Sequence, residues 1–568
     1  MPFTKYFFDL EADALLDDVT KVHCLVLIEK DKVISFTPDK IQDGLKLMSK
    51  ADELVGHNII DYDLRVLQKI YNFKFDGKIT DTLVMSRTIY PHLFNLDAES
   101  QRINTNLYGS HSLKAWGYRL GELKGDFNQG AESFEKFSKE MLSYCIQDVK
   151  VTASLYQKLV AKEFSQEALM MEHEIHRLLI EQQEQGFCFD EEQAQQLFSQ
   201  LASRKQELEE TLQKVFEPNV IVMKTKTKTT PFNPASRQQI AGRLRKRGWK
   251  PKDFTPTGEP KIDEKILEQI KIPEAKLLKE YLMLNKRLGQ IATGNQAWLK
   301  LVKKGRLHGR VNSMGAVTSR CTHSNPNLAQ VPRVGAEFGE ECRRLFTVPS
   351  GYVLLGADAS GLELRCLSHF LHRYDDGKYS QLLLEGDIHS ANQKAAGLET
   401  RDQAKTFIYA LLYSAGEEKI GSIIGRGSKE GRVIKKRFLD KTPALKKLKD
   451  AVNNSAKKGW ITGLDGRQIP IRHAHAALNT LLQSAGALIC KRWYINIEKG
   501  LRQNGYTKED ATIVAFIHDE VQLQVRKGLE QKVGEIIEQA MFHTRDHYNF
   551  NIRLDSEWKS GNNWAETH

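Results

Sequence analysis

Apolar positions repeat every second residue in some stretches of the chain and every three to four in others, and these two periods separate strands from helices. Tyr6–Leu10, His23–Glu29 and Val33–Thr37 read as strands, with Lys30-Asp31-Lys32 turning between the last two. Helical spacing follows over Leu64–Ile70 and Phe134–Leu159, so residues 1–155 read as an α/β unit. From about 165 to 300 the chain is charged and helical, with apolar residues three and four apart in Glu172–Glu184, Glu191–Val215 and Pro273–Leu288. Strands return at Val353–Ala357, Ile513–Ile517 and Val521–Val525, and helices over 402–415 and 429–458 lie between them. The chain shows no internal repeat and no low-complexity tail.

Composition narrows the class. The 568 residues exceed one compact core and suggest three or four domains; 40% hydrophobic and 27% charged residues are ordinary for a soluble globular protein. No run of eighteen apolar residues suggests a membrane span. The opening stretch runs from Met1 into a strand that meets Asp9 and lacks the features of a signal peptide. The seven cysteines stand singly with no CxxC pair, which argues against a disulfide framework or zinc site and for a reducing, cytoplasmic setting. A net charge of +11 suits a polyanionic partner. Between Lys224 and Lys252 there are ten Lys or Arg and no acid. Taken alone, that run is either a solvated surface loop or a surface that tracks phosphates.

Candidate chemistry falls in two places. Asp9 and Glu11 are two apart on a strand and share a face; Asp63 follows, and Tyr144 and Asp148 share a helical face at a spacing of four. Four carboxylates and a phenol could converge there to hold hard divalent cations and hydrolyse a phosphodiester, with Tyr144 orienting the water. In the second half, Val353–Ala357 runs into Asp358, and Ile513–Ile517 and Val521–Val525 flank His518-Asp519-Glu520. Two apolar strands joined by an acidic turn make a hairpin with carboxylates at its tip. Asp358 and Asp519 could together hold two metals about 4 Å apart. Between them, Arg401, Lys405, Tyr409 and Tyr413 form one stripe at a spacing of four, two cations followed by two aromatics. The cations suit triphosphate oxygens and the aromatics offer flat surfaces to a sugar and a base pair. Each element alone has a bland reading as a hairpin tip or an ordinary helix face.

Together these elements resemble a known family. Asp358-Ala359-Ser360-Gly361-Leu362-Glu363-Leu364-Arg365, the Arg401–Gly416 segment and His518-Asp519-Glu520 resemble motifs A, B and C of family A DNA polymerases. Gly315–Arg320, Asn327–Gln330, Gly386–His389 and His475–Ser484 are similar to the replicative enzymes of short-tailed phages. Asp9, Glu11, Asp63, Tyr144 and Asp148 resemble the three motifs of proofreading 3′–5′ exonucleases with an RNase H-like sheet. The resemblance implies an α/β multidomain fold: exonuclease at 1–160, thumb at 161–298, palm at 299–370 and 476–568, and fingers at 371–475. It implies Mg²⁺ at both sites, with Mn²⁺ as a substitute, held by Asp358, the Ala359 carbonyl and Asp519 in one and by Asp9, Glu11 and Asp148 in the other. Glu520 has a supporting role, and Glu363 crowds a ribose 2′-hydroxyl. His389, Arg401 and Lys405 hold the incoming phosphates. Tyr409 lies beside the sugar, where a tyrosine implies acceptance of dideoxynucleotides, and Tyr413 lies at the templating position. Arg320, Asn327, Gln330, His475, Asn479 and Gln483 contact primer–template DNA, in part through minor-groove acceptors that nearly all correct pairs share.

The implied partners are primer–template DNA and deoxynucleoside triphosphates, with a helicase-primase and a single-strand-binding protein as further expectations. One departure bears on the clamp. In relatives that use thioredoxin, a long insert precedes a Phe-Asn-Pro segment, whereas here Phe232-Asn233-Pro234 follows Phe216 after fifteen residues. A thioredoxin clamp is therefore not carried over, and the basic run Lys224–Lys228 in the shortened connection is a candidate contact to duplex backbone. An RNA polymerase, a silent scaffold and a nuclease that only binds DNA with its second half are the competing readings. Glu363, the intact Asp358–Asp519 pair and the His389–Arg401–Lys405 set argue against them in turn.

Overall fold

The computed structural model describes residues 3–122, 134–222 and 227–568. Lys224 and Lys226 of the basic run lie outside the described residues. The first sheet contains β1 (Lys5–Ala12), β2 (Val22–Glu29), β3 (Lys32–Phe36) and β4 (Glu53–Gly56). After α1 (Asp63–Tyr71) comes its edge strand β5 (Lys78–Asp81), giving the order β3-β2-β1-β4-β5. The first three strands are antiparallel, while β4 runs parallel to both β1 and β5.

The alternation predicted for β1 holds. Tyr6, Phe8, Leu10 and Ala12 are buried on one face, and Phe7, Asp9 and Glu11 occupy the other. Strand β2 is buried on both faces, Leu25 and Leu27 in the core that includes Phe8 and Leu10, and Cys24, Val26 and Ile28 under α2 (Lys139–Val160). Met141, Cys145 and Val149 of α2 complete that second layer, so the helix lies over the face that carries Asp9 and Glu11. Phe8 is wholly enclosed, and truncating it to Ala costs about 3–5 kcal/mol. Helix α2 begins five residues later than the pattern suggests, because the Ser138 hydroxyl accepts from the Met141 N–H and caps it there.

Helix α3 (Gln166–Gln185) joins this unit to the rest of the chain. Its Glu172 is completely buried and accepts from Lys491 Nζ at 2.7 Å and Arg467 Nη1 at 2.9 Å. Arg467 also pairs with buried Asp465 and donates to the Ser319 hydroxyl at 2.9 Å, so two buried acids meet two buried cations. A buried charge is tolerable only with such partners. Next to Glu172, His173 Nε2 accepts the Asp81 N–H at 2.9 Å, which ties α3 to the end of β5. Two further helices, α4 (Glu191–Val215) and α5 (Pro273–Leu288), share a core through Leu201, Leu208 and Leu212 on one and Leu278, Tyr281 and Leu284 on the other.

The second sheet is built from distant segments. Strand β6 (Tyr352–Ala359) leads into α6 (Leu362–Asp375), then α7 (Ile388–Ala396) and α8 (Arg401–Leu412). The single helix expected over 429–458 is two helices, α9 (Ser428–Lys441) and α10 (Pro443–Ala456). Pro443 has no N–H to continue α9 and disfavours helical backbone at Thr442, so the chain breaks there. Helix α11 (Ala477–Gln503) is buried nearly all round, with Trp493 Nε1 donating to the Ile537 carbonyl. The hairpin β7 (Ala511–Ile517) and β8 (Glu520–Arg526), then α12 (Glu530–His547) and β9 (Ser556–Gly561), complete the unit. The strand order is β7-β8-β6-β9, antiparallel throughout. Among the described residues no helix is long and apolar enough to cross a membrane.

Candidate active sites

The first site lies on the half-buried face of β1, beneath α2. One ligand atom each from Asp9, Glu11 and Cys145 lies within 4.8 Å of the others. Asp63 opens α1 and is buried; burial, and then Asp81 and Glu11, push its carboxyl well above the ordinary range. Its Oδ1 has no hydrogen-bond partner among the described residues. Asp148 is buried on α2, on the helix that packs over β1, and Tyr144 lies one turn earlier. Asp81, which the sequence reading did not single out, organises the support. Its carboxylate accepts from the N–H groups of Asn58 (2.9 Å), Ile60 (3.1 Å) and Leu83 (2.8 Å). The available signal was an acid placed between a strand and a helix start in Thr80-Asp81-Thr82.

The second site lies at one end of the second sheet. Asp358 of β6 is in register with Glu520 of β8, and the Ala359 N–H donates to the Asp519 carbonyl at 3.0 Å. His518 and Asp519 form a two-residue turn in which His518 has φ +58°, a backbone region usually left to glycine in such hairpins. Asp358, Glu520 and His568 each place a ligand atom within 4.8 Å of the other two. Burial pushes Asp358 up to about 6, assisted by Glu520 and Asp519 and opposed by His568 and Arg343. Asp519 is also raised, by burial and then by Glu363. Burial alone would raise Glu520, but His568, Arg343 and Trp564 hold it below the ordinary range. Trp564 Nε1 donates to Glu520 Oε1, as does Gln522 Nε2 at 2.7 Å. Arg343, His568 and Trp564 were missed in the sequence, because their relevance depends on contacts with Glu520 across 44 to 177 positions of chain that no local pattern encodes.

Asp519 faces a different set of neighbours from Asp358. With Arg320, Glu363, Tyr413 and His518 it lines a cleft of about 240 Å³. Tyr413 Oη donates to Glu363 Oε1 at 3.0 Å. The stripe on α8 is real for Arg401, Lys405 and Tyr409, but α8 ends at Leu412 and Tyr413 is its C-cap, 44% exposed. Ser414, at φ +58°, turns the chain there and its hydroxyl donates to the His475 carbonyl at 2.9 Å. Burial, then Arg401 and Lys405, depress His389, so its imidazole lies near both cations. Gln483 Nε2 donates to Asn479 Oδ1 at 3.0 Å along α11, and His475 stacks on His473 just before that helix. The Gln330 carbonyl accepts from Gln290 Nε2 at 2.8 Å, just beyond α5, while the buried Oδ1 of Asn327 has no partner among the described residues.

Both acid clusters fit divalent cations. In the first, buried Asp63 lies beside other acids with an oxygen unpaired among the described residues; in the second, burial and then neighbouring carboxylates hold Asp358 well above its ordinary range. Neighbouring anions carry that repulsion until a cation offsets it.

Comparison with known proteins agrees with this geometry. The family model described as DNA polymerase family A matches residues 192–566. The DNA-directed DNA polymerase of Escherichia phage T7 is 37% identical over an alignment covering 99% of both chains. That of Enterobacteria phage T3 is likewise 37% identical over 99% of both. These alignments span 700 positions against 568 residues here, so more than a hundred positions of the relatives have no counterpart in this chain. Among solved structures, the POL domain of Pol1 from M. smegmatis, in complex with DNA primer-template and dNTP, shares the fold with a TM-score of 0.79 at 18% identity. It covers 100% of this chain and 97% of its own. On the family match and full-length relatedness, set on a sheet that gathers Asp358, Asp519 and Glu520, the chain belongs to DNA polymerase family A.

Proposed function

We propose that this family A enzyme is a replicative DNA-directed DNA polymerase with a separate 3′–5′ proofreading exonuclease. The observation that carries the reading is a pair of separate acid clusters, Asp9 and Glu11 on the first sheet with Asp63 near Glu11, and Asp358 and Glu520 on the second with Asp519 beside Asp358. The matching division of the chain is exonuclease 1–160, thumb 161–298, palm 299–370 and 476–568, and fingers 371–475. Primer–template DNA and deoxynucleoside triphosphates are the substrates, and the site of action is the cytoplasm of a host cell.

Asp358, the Ala359 carbonyl and Asp519 would hold the cations of the synthetic site, and Asp9, Glu11 and Asp148 those of the hydrolytic site, with Mg²⁺ the ion best suited to such oxygens. When bound, such ions lower the pKa of the attacking oxygen and stabilise the leaving one. The protein's own groups do the rest. Arg401, Lys405 and His389 meet the triphosphate. Glu363, held by Tyr413, stands at the floor of the cleft and excludes a 2′-hydroxyl. Arg320, Asn479 and Gln483 offer hydrogen bonds to the minor groove. In the first site Tyr144 orients the water, and Asp63, fixed near Glu11, supports the acids of β1.

A labelled primer on a DNA template tests this. With Mg²⁺ and deoxynucleotides the primer lengthens; without deoxynucleotides it shortens from its 3′ end. Asp519→Ala abolishes only lengthening and Asp9→Ala only shortening. Loss of both activities from either change would refute two independent sites.

A further inference from the structure

Asp387 lies where two of the candidate phosphate ligands meet. It is the N-cap of α7: Oδ1 accepts from the His389 N–H at 3.1 Å and the Ser390 N–H at 3.2 Å, and Oδ2 from the Ser390 hydroxyl at 2.6 Å. The same carboxylate accepts from Arg401 Nε, at 2.9 Å to Oδ2 and 3.2 Å to Oδ1. Arg401 is the first residue of α8, so one carboxylate joins the starts of two successive helices. The start of α8 has its own support. The Thr400 hydroxyl accepts from the Gln403 N–H, and Gln403 Oε1 accepts from the N–H groups of Glu399 and Thr400, a complete capping box. Helix α8 therefore does not need Asp387 to begin. What the Asp387–Arg401 bond decides is the direction of the guanidinium.

Arg401 spends only Nε on that bond. Its two terminal NH₂ groups make no hydrogen bond to the described residues, and the side chain is 53% exposed. The fork is held at its root with both tines open. A latch that had to be released by substrate would occupy the tines instead. His389 stands close to Arg401 and Lys405, and the Asp387 carboxylate bonds both the His389 N–H and the Arg401 guanidinium. A pre-aimed guanidinium loses less freedom when it meets a phosphate than one that must be ordered at that moment.

We propose that Asp387 is a positioning residue for the incoming nucleotide, holding Arg401 and the start of the His389 helix as a preformed cradle for the triphosphate. The proposal rests on the reading of Arg401 and His389 as phosphate ligands. Asp387 itself stays behind the guanidinium and makes no contact with the nucleotide.

Two substitutions separate its roles. Asp387→Ser keeps a good helix-capping oxygen but is too short to reach Arg401. Asp387→Asn keeps the size and loses the charge. Single-nucleotide extension on a primer–template in Mg²⁺ measures KM and kcat for the deoxynucleotide. For Asp387→Ser, KM rises about five- to tenfold while kcat changes less than about twofold, the split expected when binding alone is weakened. Asp387→Asn shows a rise of the same sign. Exonuclease rate and affinity for primer–template stay at parent values. In an Arg401→Ala background the Asp387 substitutions add nothing, because Ser and Asn both keep the cap on the His389 helix and what they change is the hold on Arg401. A fall in KM in either Asp387 variant overturns the proposal, since Asp387 would then be an anion repelling the triphosphate. An unchanged KM in both, with Arg401→Ala raising it, also overturns it. If Arg401→Ala itself leaves KM unchanged, the phosphate-ligand reading fails first.

Discussion

Replacing Asp358 with Asn should destroy synthesis yet make the metal-free protein more stable. The carboxyl is held up to about 6 from an ordinary 3.8 by burial and by Glu520 and Asp519. At about 1.4 kcal/mol per pKa unit, the displacement corresponds to about 3 kcal/mol of penalty on the ionised form. Partial access to solvent screens this, leaving ~1–2 kcal/mol. The sign follows from proton binding: an acid whose folded-state pKa is raised binds its proton more tightly folded than unfolded, so stability falls as pH rises between the two values. The penalty is complete above about pH 6 and absent below about pH 4. Asp358→Asn should therefore raise the thermal unfolding midpoint at about pH 8 in chelator, by a few degrees for a unit of this size. At about pH 4 the gain should vanish. Adding Mg²⁺ at pH 8 should stabilise the parent more than the variant. A variant that is no more stable than the parent at pH 8 in chelator, or that gains equally at pH 4, would refute the claim that acid crowding stores repulsion here.

Other consequences can be checked directly. Arg467→Met leaves buried Glu172 with Lys491 and takes from buried Asp465 its ion-pair partner, and should cost about 3–5 kcal/mol in an unfolding experiment; a loss under about 1 kcal/mol would mean the cluster carries little. His568→Ala removes a partner that lowers both Glu520 and Asp358. Both carboxyls would then protonate at higher pH, so the acid limb of the extension–pH profile should move upward, and an unmoved limb would rule out that role. Gly356→Ala places a Cβ 2.4 Å from Gln522 Nε2 and 2.6 Å from the Thr567 carbonyl. It should cost about 1–3 kcal/mol and slow extension by displacing the C-terminal segment, with 3′ shortening unchanged.

Much of both sites could be read from local pattern because each motif is short and its period is set by the backbone. Period two put Asp9 and Glu11 on one face of β1, and period four put Arg401, Lys405 and Tyr409 on one face of α8. Apolar runs on either side of His518-Asp519 defined a hairpin with acids at its tip. Local pattern misled where one residue interrupts a period: Pro443 splits the helix expected over 429–458, and the turn at Ser414 leaves Tyr413 as a cap.

The sequence by itself determined the elements, the faces they present and the kinds of side chain available for chemistry, since each depends on neighbours within a few residues. Tertiary structure alone decided which acids share a field. It set Asp358 opposite Glu520 and His568, turned Asp519 toward Glu363 and Arg320, placed Asp81 behind Asp63, and joined Glu172 to Arg467 and Lys491. The physical reason is that charge interacts through space and is amplified by burial, and both distance and burial are set only when segments hundreds of residues apart pack together.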